Sequence, residues 1–306
     1  MQNEILLSNG VKIPHIGLGT YPMTGDILKR AVLKAYSSGY LLFDTSDNYY
    51  NEADLGAAIS QLYTSTKCKR ENLFLVTKVS DELYKPGSLG GGSNMGKYFW
   101  KNSTEMQSPD AVHRIVRQKI EYSLKALRTD YVDLYLLHWP YPDYFKEIWK
   151  ELELLYSEKL VRAIGVCNCR ERHLEYMKSF VNEFPVINQI ESSPLNTKKS
   201  LVDYCDENNV RIMIYSPLKS LNVFNARYNS LLNDLSKKYN KNVSQIILRF
   251  DIQRGLIPIP KSSNSNRIND NINVFDFVIE EYDMQLLMNC NENRMYMPES
   301  RSCPGL

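Results

Sequence analysis

In the stretch LLFDTSDNYYNEADLGAAI, residues 41–59, a short apolar run delivers Asp44 and is followed by two adjacent tyrosines, Tyr49 and Tyr50. Further on, LFLVTKV carries Lys78 and YVDLYLLH ends at His138. Together these residue types can move a proton. A lysine sharing a dry site with an aspartate is expected to pair with it, because a lone buried charge is expensive. A phenol close to that ammonium has its ionised form favoured, which draws its pKa down from about 10. A neutral imidazole alongside can hold the oxygen of a bound carbonyl. Such a set would protonate an alkoxide as hydride arrives, with lysine and aspartate tuning the acid and histidine orienting the substrate.

That chemistry requires the strands carrying these residues to end side by side. Eight short β-rich runs occur in order: HIGLGT, YLLFD, LFLVTKV, YVDLYLLH, VRAIGV, VINQI, VRIMIY and LIPIP. Amphipathic segments with apolar residues at three- and four-residue spacing separate them, among them DILKRAVLKAYSSG, PDAVHRIVRQKIEYSLKAL and ERHLEYMKSFVNEF. Nearly continuous apolar strands alternating with helices indicate a parallel sheet covered by helices. Eight of them predict closure into an α/β (β/α)8 TIM barrel spanning residues 1–306 as one domain. ILLSNGVKI, with Asn9-Gly10 between two apolar runs, predicts a β-hairpin ahead of the barrel, able to plug its N-terminal end. NRINDNINVFDF reads as the last barrel helix and EEYDMQLLMN as an extra C-terminal one. In such barrels the chemistry lies at the C-terminal ends of the strands. There the sequence places Asp44, Lys78, His138, Asn168, Gln189 with Glu191, Tyr215 with Ser216, and Lys261.

Composition narrows the partners. A net charge of +2 with no long block of like charge argues against a nucleic-acid surface. No apolar run reaches membrane-spanning length, and the N-terminus lacks the pattern of an export signal. The six cysteines are too sparse for a disulfide framework and show no C-x-x-C pair, so free thiols in a cytoplasmic protein are expected, with no metal site. Cys167 and Cys169 stand two apart in VCNC and would share a face if both lay on a strand. No G-x-G-x-x-G fingerprint opens a helix after a strand, which excludes a Rossmann site.

Over nearly its full length the chain resembles the aldo-keto reductase superfamily. The resemblance rests on IPHIGLGT, FDTSDNYYNEADLGAAI, LFLVTKV, DLYLLHWP, LVRAIGVCN, VINQIESSPL, IYSPL and QRGLIPIPKSSNSNRINDNINVFDF, in the family order. It implies NADPH as cofactor and a catalytic tetrad of Asp44, Tyr49, Lys78 and His138. The family's tyrosine follows its aspartate by five residues, which selects Tyr49; Tyr50 falls where glycine is more usual. By the same resemblance Asn168 and Gln189 hold the nicotinamide carboxamide, Tyr215 stacks on the ring, and Ser216, Leu218 and Ser220 lie near the pyrophosphate. Lys261, Ser262 and Arg267 match the 2′-phosphate site, where an ammonium, a hydroxyl and a guanidinium fork suit a dianion. Asn271, with Asp270 beside it, would face adenine, and Thr20 and Tyr21 the nicotinamide end and the substrate.

The expected partner is a small-molecule carbonyl substrate reduced by a monomer, its pocket formed by Tyr21, Tyr49, His138 and Trp139. Residues 80–108, glycine-rich and far longer than an ordinary connection, are expected to add Tyr84, Tyr98, Phe99 and Trp100 as a substrate lid. Cys167 replaces the family's usual serine, with the loss of one bond to the carboxamide expected. Three other readings compete. Reduction of a C=C or C=N bond is opposed by His138, which alkene reducers usually replace. A non-catalytic NADPH-binding subunit is opposed by the intact tetrad. A barrel isomerase or aldolase fits the Asp–Tyr–Lys–His set badly.

Overall fold

The computed structural model describes residues 4–80, 108–140 and 144–296. Two short strands, β1 (Glu4–Leu6) and β2 (Lys12–Pro14), form the hairpin expected around Asn9-Gly10. Gly10 adopts φ +83°, the left-handed region that this turn needs, and Leu7 and Val11 close it with a backbone bond.

Eight parallel strands follow: β3 (Gly17–Gly19), β4 (Leu42–Asp44), β5 (Phe74–Val79), β6 (Leu134–Leu137), β7 (Ile164–Cys167), β8 (Ile187–Glu191), β9 (Arg211–Tyr215) and β10 (Ile257–Pro258). Each pairs with its sequence neighbour. The ring closes where Gly19 N–H donates to Pro260 O at 3.2 Å. A side chain at Gly19 could not fit this seam, because a Cβ there would stand 2.8 Å from Ile259 O. The sheet is therefore the closed (β/α)8 barrel expected from the eight apolar runs.

Strand alternation sorts the side chains. Leu42, Phe74, Val76, Leu134, Leu136, Ile187, Met213 and Ile257 fill the barrel interior, together with Leu7 and Ile13 of the hairpin. Phe43, Leu75, Tyr135, Leu137, Val166, Ile190 and Ile214 face the helices instead. The hairpin corks the N-terminal end of the barrel, where Asn9 Nδ2 donates to Arg162 O just ahead of β7.

The surrounding helices are α1 (Gly25–Ser37), α2 (Glu52–Ser65), α3 (Pro109–Leu127), α4 (Phe145–Ser157), α5 (Glu171–Met177), α6 (Lys199–Glu207), α7 (Ala226–Tyr239), α8 (Val243–Gln253), α9 (Ser265–Ile272) and α10 (Glu281–Met288). Three differ from expectation, of which α9 ends at Ile272 and leaves NVFDF outside the helix. α5 stops at Met177, where Phe180 and Val181 N–H both fold back onto Met177 O and tighten the chain into a turn. α7 is an additional helix between β9 and α8, capped by Asn225 Oδ1, which accepts from Tyr228 N–H. Tyr228, Leu232 and Leu235 of α7 form an apolar layer with Phe250 of α8 and Met284 and Leu287 of α10. That layer gives the expected extra C-terminal helix its seat.

Candidate active site

The period of two along each strand carries the predicted polar residues inward at the C-terminal mouth. On β4, Leu42 points inward, so Asp44 does too. On β5, Phe74 and Val76 precede Lys78 on the same face, and on β6 Leu134 and Leu136 precede His138. The result is one constellation, its Asp44 and Lys78 buried and its Tyr49 and His138 half-buried. Lys78 Nζ donates to Asp44 Oδ1 at 2.8 Å, to Asp44 Oδ2 at 2.9 Å and to Thr45 O at 2.6 Å. The same ammonium lies 4.8 Å from the centre of the Tyr49 ring. The Tyr49 ring sits edge-on to His138, with centroids 5.9 Å apart, and 4.9 Å from the ring of Tyr21. Trp139 stacks beside His138 with centroids 6.4 Å apart.

Electrostatics at the mouth depart from the sequence expectation in one respect. The Tyr49 phenol is not drawn below its ordinary value but pushed up to about 12. Burial is the largest cause and outweighs the ammonium of Lys78, while the Asp44 carboxylate adds to the rise. The phenol thus keeps its proton at neutral pH and is poised as a donor. Lys78 stands above its ordinary value: burial works against the charge, and Asp44 with Tyr49 overcomes it. Burial raises the Asp44 carboxyl, opposed by Lys78 and by Gln189. His138 is held down to about 3, by burial first and then by the charge of Lys78, so its imidazole is neutral.

The residues expected at the nicotinamide end form a second group. Asn168 adopts φ +59°, Tyr215 Oη donates to its Oδ1 at 2.8 Å, and its Nδ2 donates to His138 O at 3.1 Å. Gln189 Nε2 donates to Asp44 Oδ2 at 2.7 Å, which leaves its amide oxygen as the acceptor. Ser216 also adopts a left-handed backbone, φ +54°, and Leu218 is half-buried beside it. At the far end, Lys261 and Arg267 are exposed, Ser262 Oγ accepts from Asn264 N–H, and Asn264 Oδ1 caps α9 at Arg267 N–H. Asn271 is buried on α9, and Asp270 Oδ2 accepts from Asn242 Nδ2.

Two expected cofactor residues are fully buried, the cysteine expectation needs correction, and others fall outside the described residues. Ser220 is fully buried, its hydroxyl 3.0 Å from Tyr228 Oη. Thr20 is also fully buried, its hydroxyl donating to Asp44 O at 2.9 Å. Cys167 and Cys169 do not share a face. The left-handed turn at Asn168 breaks strand alternation, leaving Cys167 inside the barrel and Cys169 in the helix-facing layer. Tyr84, Tyr98, Phe99 and Trp100, and with them the expected lid, lie outside the described residues.

Other residues that position the site escaped the sequence reading. Asn51, at the N-cap of α2, spends its side chain elsewhere: Oδ1 accepts from Thr45 Oγ1 at 2.6 Å, and Nδ2 donates to Thr20 Oγ1 and Met23 O. It ties the loop after β3 to the loop after β4. Ser46 Oγ lies 3.3 Å from His138 Nδ1 and 2.8 Å from Asn48 Oδ1. Tyr50 closes the short helical turn Asp47–Tyr49 in the left-handed conformation, φ +54°, which explains why glycine is the easier residue there.

Comparison with known proteins agrees with this architecture. The model of the Aldo/keto reductase family matches residues 15–292. Glyoxal reductase of Bacillus subtilis is 33% identical over 97% of this chain and 96% of its own. Methylglyoxal reductase DkgA of Escherichia coli is 31% identical over 96% of each. The crystal structure of an aldo-keto reductase from Bombyx mori in complex with NADP superposes with a TM-score of 0.82 at 30% identity, covering 99% of this chain and 97% of the other. With its barrel, its strand-end polar residues and a family match across nearly the whole sequence, the chain belongs to the aldo/keto reductase family.

Proposed function

We propose that the chain is an NADPH-dependent carbonyl reductase that converts a small aldehyde or ketone into the alcohol, with Tyr49 as proton donor. The observation that carries this reading is the position of Lys78, bonded to both oxygens of Asp44 and facing the Tyr49 ring. The residues present fit the cofactor. Asn168 Nδ2 and Gln189 Oε1 offer a donor and an acceptor for a carboxamide, and the half-exposed Tyr215 offers a ring face. The exposed Lys261 and Arg267 beside the N-terminus of α9 suit a phosphate dianion. When bound, NADPH supplies a hydride to the carbonyl carbon.

The protein's own residues do the rest. Neutral His138 donates a hydrogen bond to the carbonyl oxygen and orients it. Tyr49 gives its proton to that oxygen as negative charge develops, which balances the hydride and completes the alcohol. Lys78, kept charged by Asp44, stabilises the phenolate left behind. Tyr21 and Trp139 flank the acceptor.

Glyoxal and methylglyoxal are the first substrates to try, because two relatives are named for reducing them. Quenching of NADPH fluorescence tests binding, and oxidation of NADPH with either aldehyde tests catalysis. Tyr49→Phe is expected to bind NADPH as the parent does and to lose about 100- to 10,000-fold in turnover. Parental turnover in that variant would refute Tyr49 as the acid. A single-domain, monomeric, cytoplasmic enzyme is the accompanying proposal. It is supported by the even charge balance and sparse cysteines, and sedimentation of the pure chain tests the monomer.

A further inference from the structure

Behind the Tyr49 turn lies a second buried ion pair that the reaction does not touch. Asp47 opens the three-residue turn that Tyr49 ends, and Tyr49 N–H closes it onto Ser46 O at 3.1 Å. The Asp47 carboxylate accepts from Ser80 N–H at 3.2 Å on each oxygen and from Lys119 Nζ at 2.7 Å. Ser46 Oγ adds a longer contact of 3.3 Å. Lys119 projects from α3 and also donates to Ser80 Oγ at 3.3 Å. Both side chains of the pair are almost wholly covered, 7% and 8% exposed. Ser80 stands two residues beyond Lys78 on the same chain segment. One carboxylate therefore joins three elements: the turn bearing Tyr49, the end of the strand bearing Lys78, and a helix from the outer layer.

We propose that Asp47 and Lys119 are a positioning pair that clamps the Tyr49 turn against the end of the Lys78 strand and so sets the phenol's reach toward the substrate oxygen. The inference rests on Tyr49 being the proton donor. Its physical basis is directionality. A buried pair gives little net stability over apolar side chains of the same size, because both charges must be stripped of water. What apolar side chains cannot supply is a set of convergent bonds that fixes a three-residue turn in one place. A misplacement of about 1 Å at a reacting group costs on the order of 100-fold in rate.

The test compares Lys119→Met, Lys119→Arg and the double variant Asp47→Leu/Lys119→Met. Lys119→Met is expected to lower both melting temperature and kcat, because it strands a buried carboxylate. Lys119→Arg, which keeps the charge, should recover part of both. The double variant should regain the melting temperature of the parent. Its kcat for methylglyoxal should stay at least tenfold low, with KM and NADPH fluorescence titration within twofold. Amide hydrogen exchange at Asn48 and Tyr49 should be at least tenfold faster in the double variant, a readout independent of turnover. A double variant with parental exchange at the turn would overturn the clamp, as would one with parental kcat. Tyr49→Phe run in parallel separates the two ideas. If it turns over normally, the acid assignment fails whatever the pair does. If it is inactive while the double variant behaves as the parent, only the clamp fails.

Discussion

The ammonium of Lys78 faces the Tyr49 ring at 4.8 Å, yet its hydrogen bonds go to Asp44 and Thr45. Lysine thus acts on the phenol chiefly through its field, with a smaller hydrogen-bond contribution, and is itself held in place by aspartate. Lys78→Met removes the field and leaves Asp44 without its counter-charge. The variant should unfold about 3–5 kcal/mol more easily and lose carbonyl reduction. Thermal unfolding and a turnover assay check this together; a stable, active Lys78→Met protein would contradict the assignment.

Glu52 predicts a pH dependence of stability. It is fully enclosed, Thr77 and Ser123 donate to its two oxygens, and burial chiefly, with Asp47 nearby, pushes its carboxyl up to about 7. The folded state binds this proton more tightly than the unfolded chain does. The stabilisation is therefore complete below the ordinary carboxyl pKa, near 4.5, and is lost as pH rises through about 7. Its size is on the order of 3 kcal/mol. Glu52→Gln keeps acceptor and donor positions without the titration. Denaturant midpoints measured from pH 4.5 to 8 should fall more steeply in the parent than in this variant. Equal slopes would show that Glu52 is not protonated in the fold.

His138 should titrate far from where a free imidazole does. With burial and Lys78 holding it to about 3, the ring stays neutral down to roughly pH 4. The NMR signal that disappears in His138→Gln should show no shift between pH 8 and 5. An imidazole titrating near 6.5 and lost in that variant would mean that burial and the Lys78 charge do not hold the ring neutral.

Cofactor preference should depend on Arg267. Arg267→Ala removes one charge-assisted contact to the proposed 2′-phosphate. About 10- to 100-fold weaker NADPH binding is expected, with NADH binding little changed. Fluorescence titration with both nucleotides decides it, and equal weakening would relocate the phosphate site.

Much of this was readable in the sequence because strand parity is readable. Once Phe74 and Val76 are taken as interior, Lys78 follows on the same face, and the same counting brings in Asp44, His138, Gln189 and Tyr215. What parity does not contain is the depth of burial. The expected fall in the Tyr49 pKa came from its charged neighbour alone, and the larger effect of lost water reversed the sign. The hydroxyl partner of Ser220 was out of reach for a related reason: Tyr228 belongs to α7, a helix absent from the sequence-based order. Lys119 did leave a trace. It falls between Ile115, Val116 and Ile120, Ser123 on the buried stripe of α3, where a charge needs a partner. That partner lies 72 positions away, beyond any local pattern. Tyr50 shows the opposite case: a departure visible as one letter whose backbone consequence, a left-handed residue, needed coordinates.

The hairpin at the N-terminal end gives the molecule a blind side. Leu7 and Ile13 stop up the barrel at the floor, while every group proposed for the reaction gathers at the rim. A surface, a fluorophore or a fused domain attached ahead of Glu4 would stand at the back of the molecule. Immobilised that way, the protein would present its open rim to the passing solution.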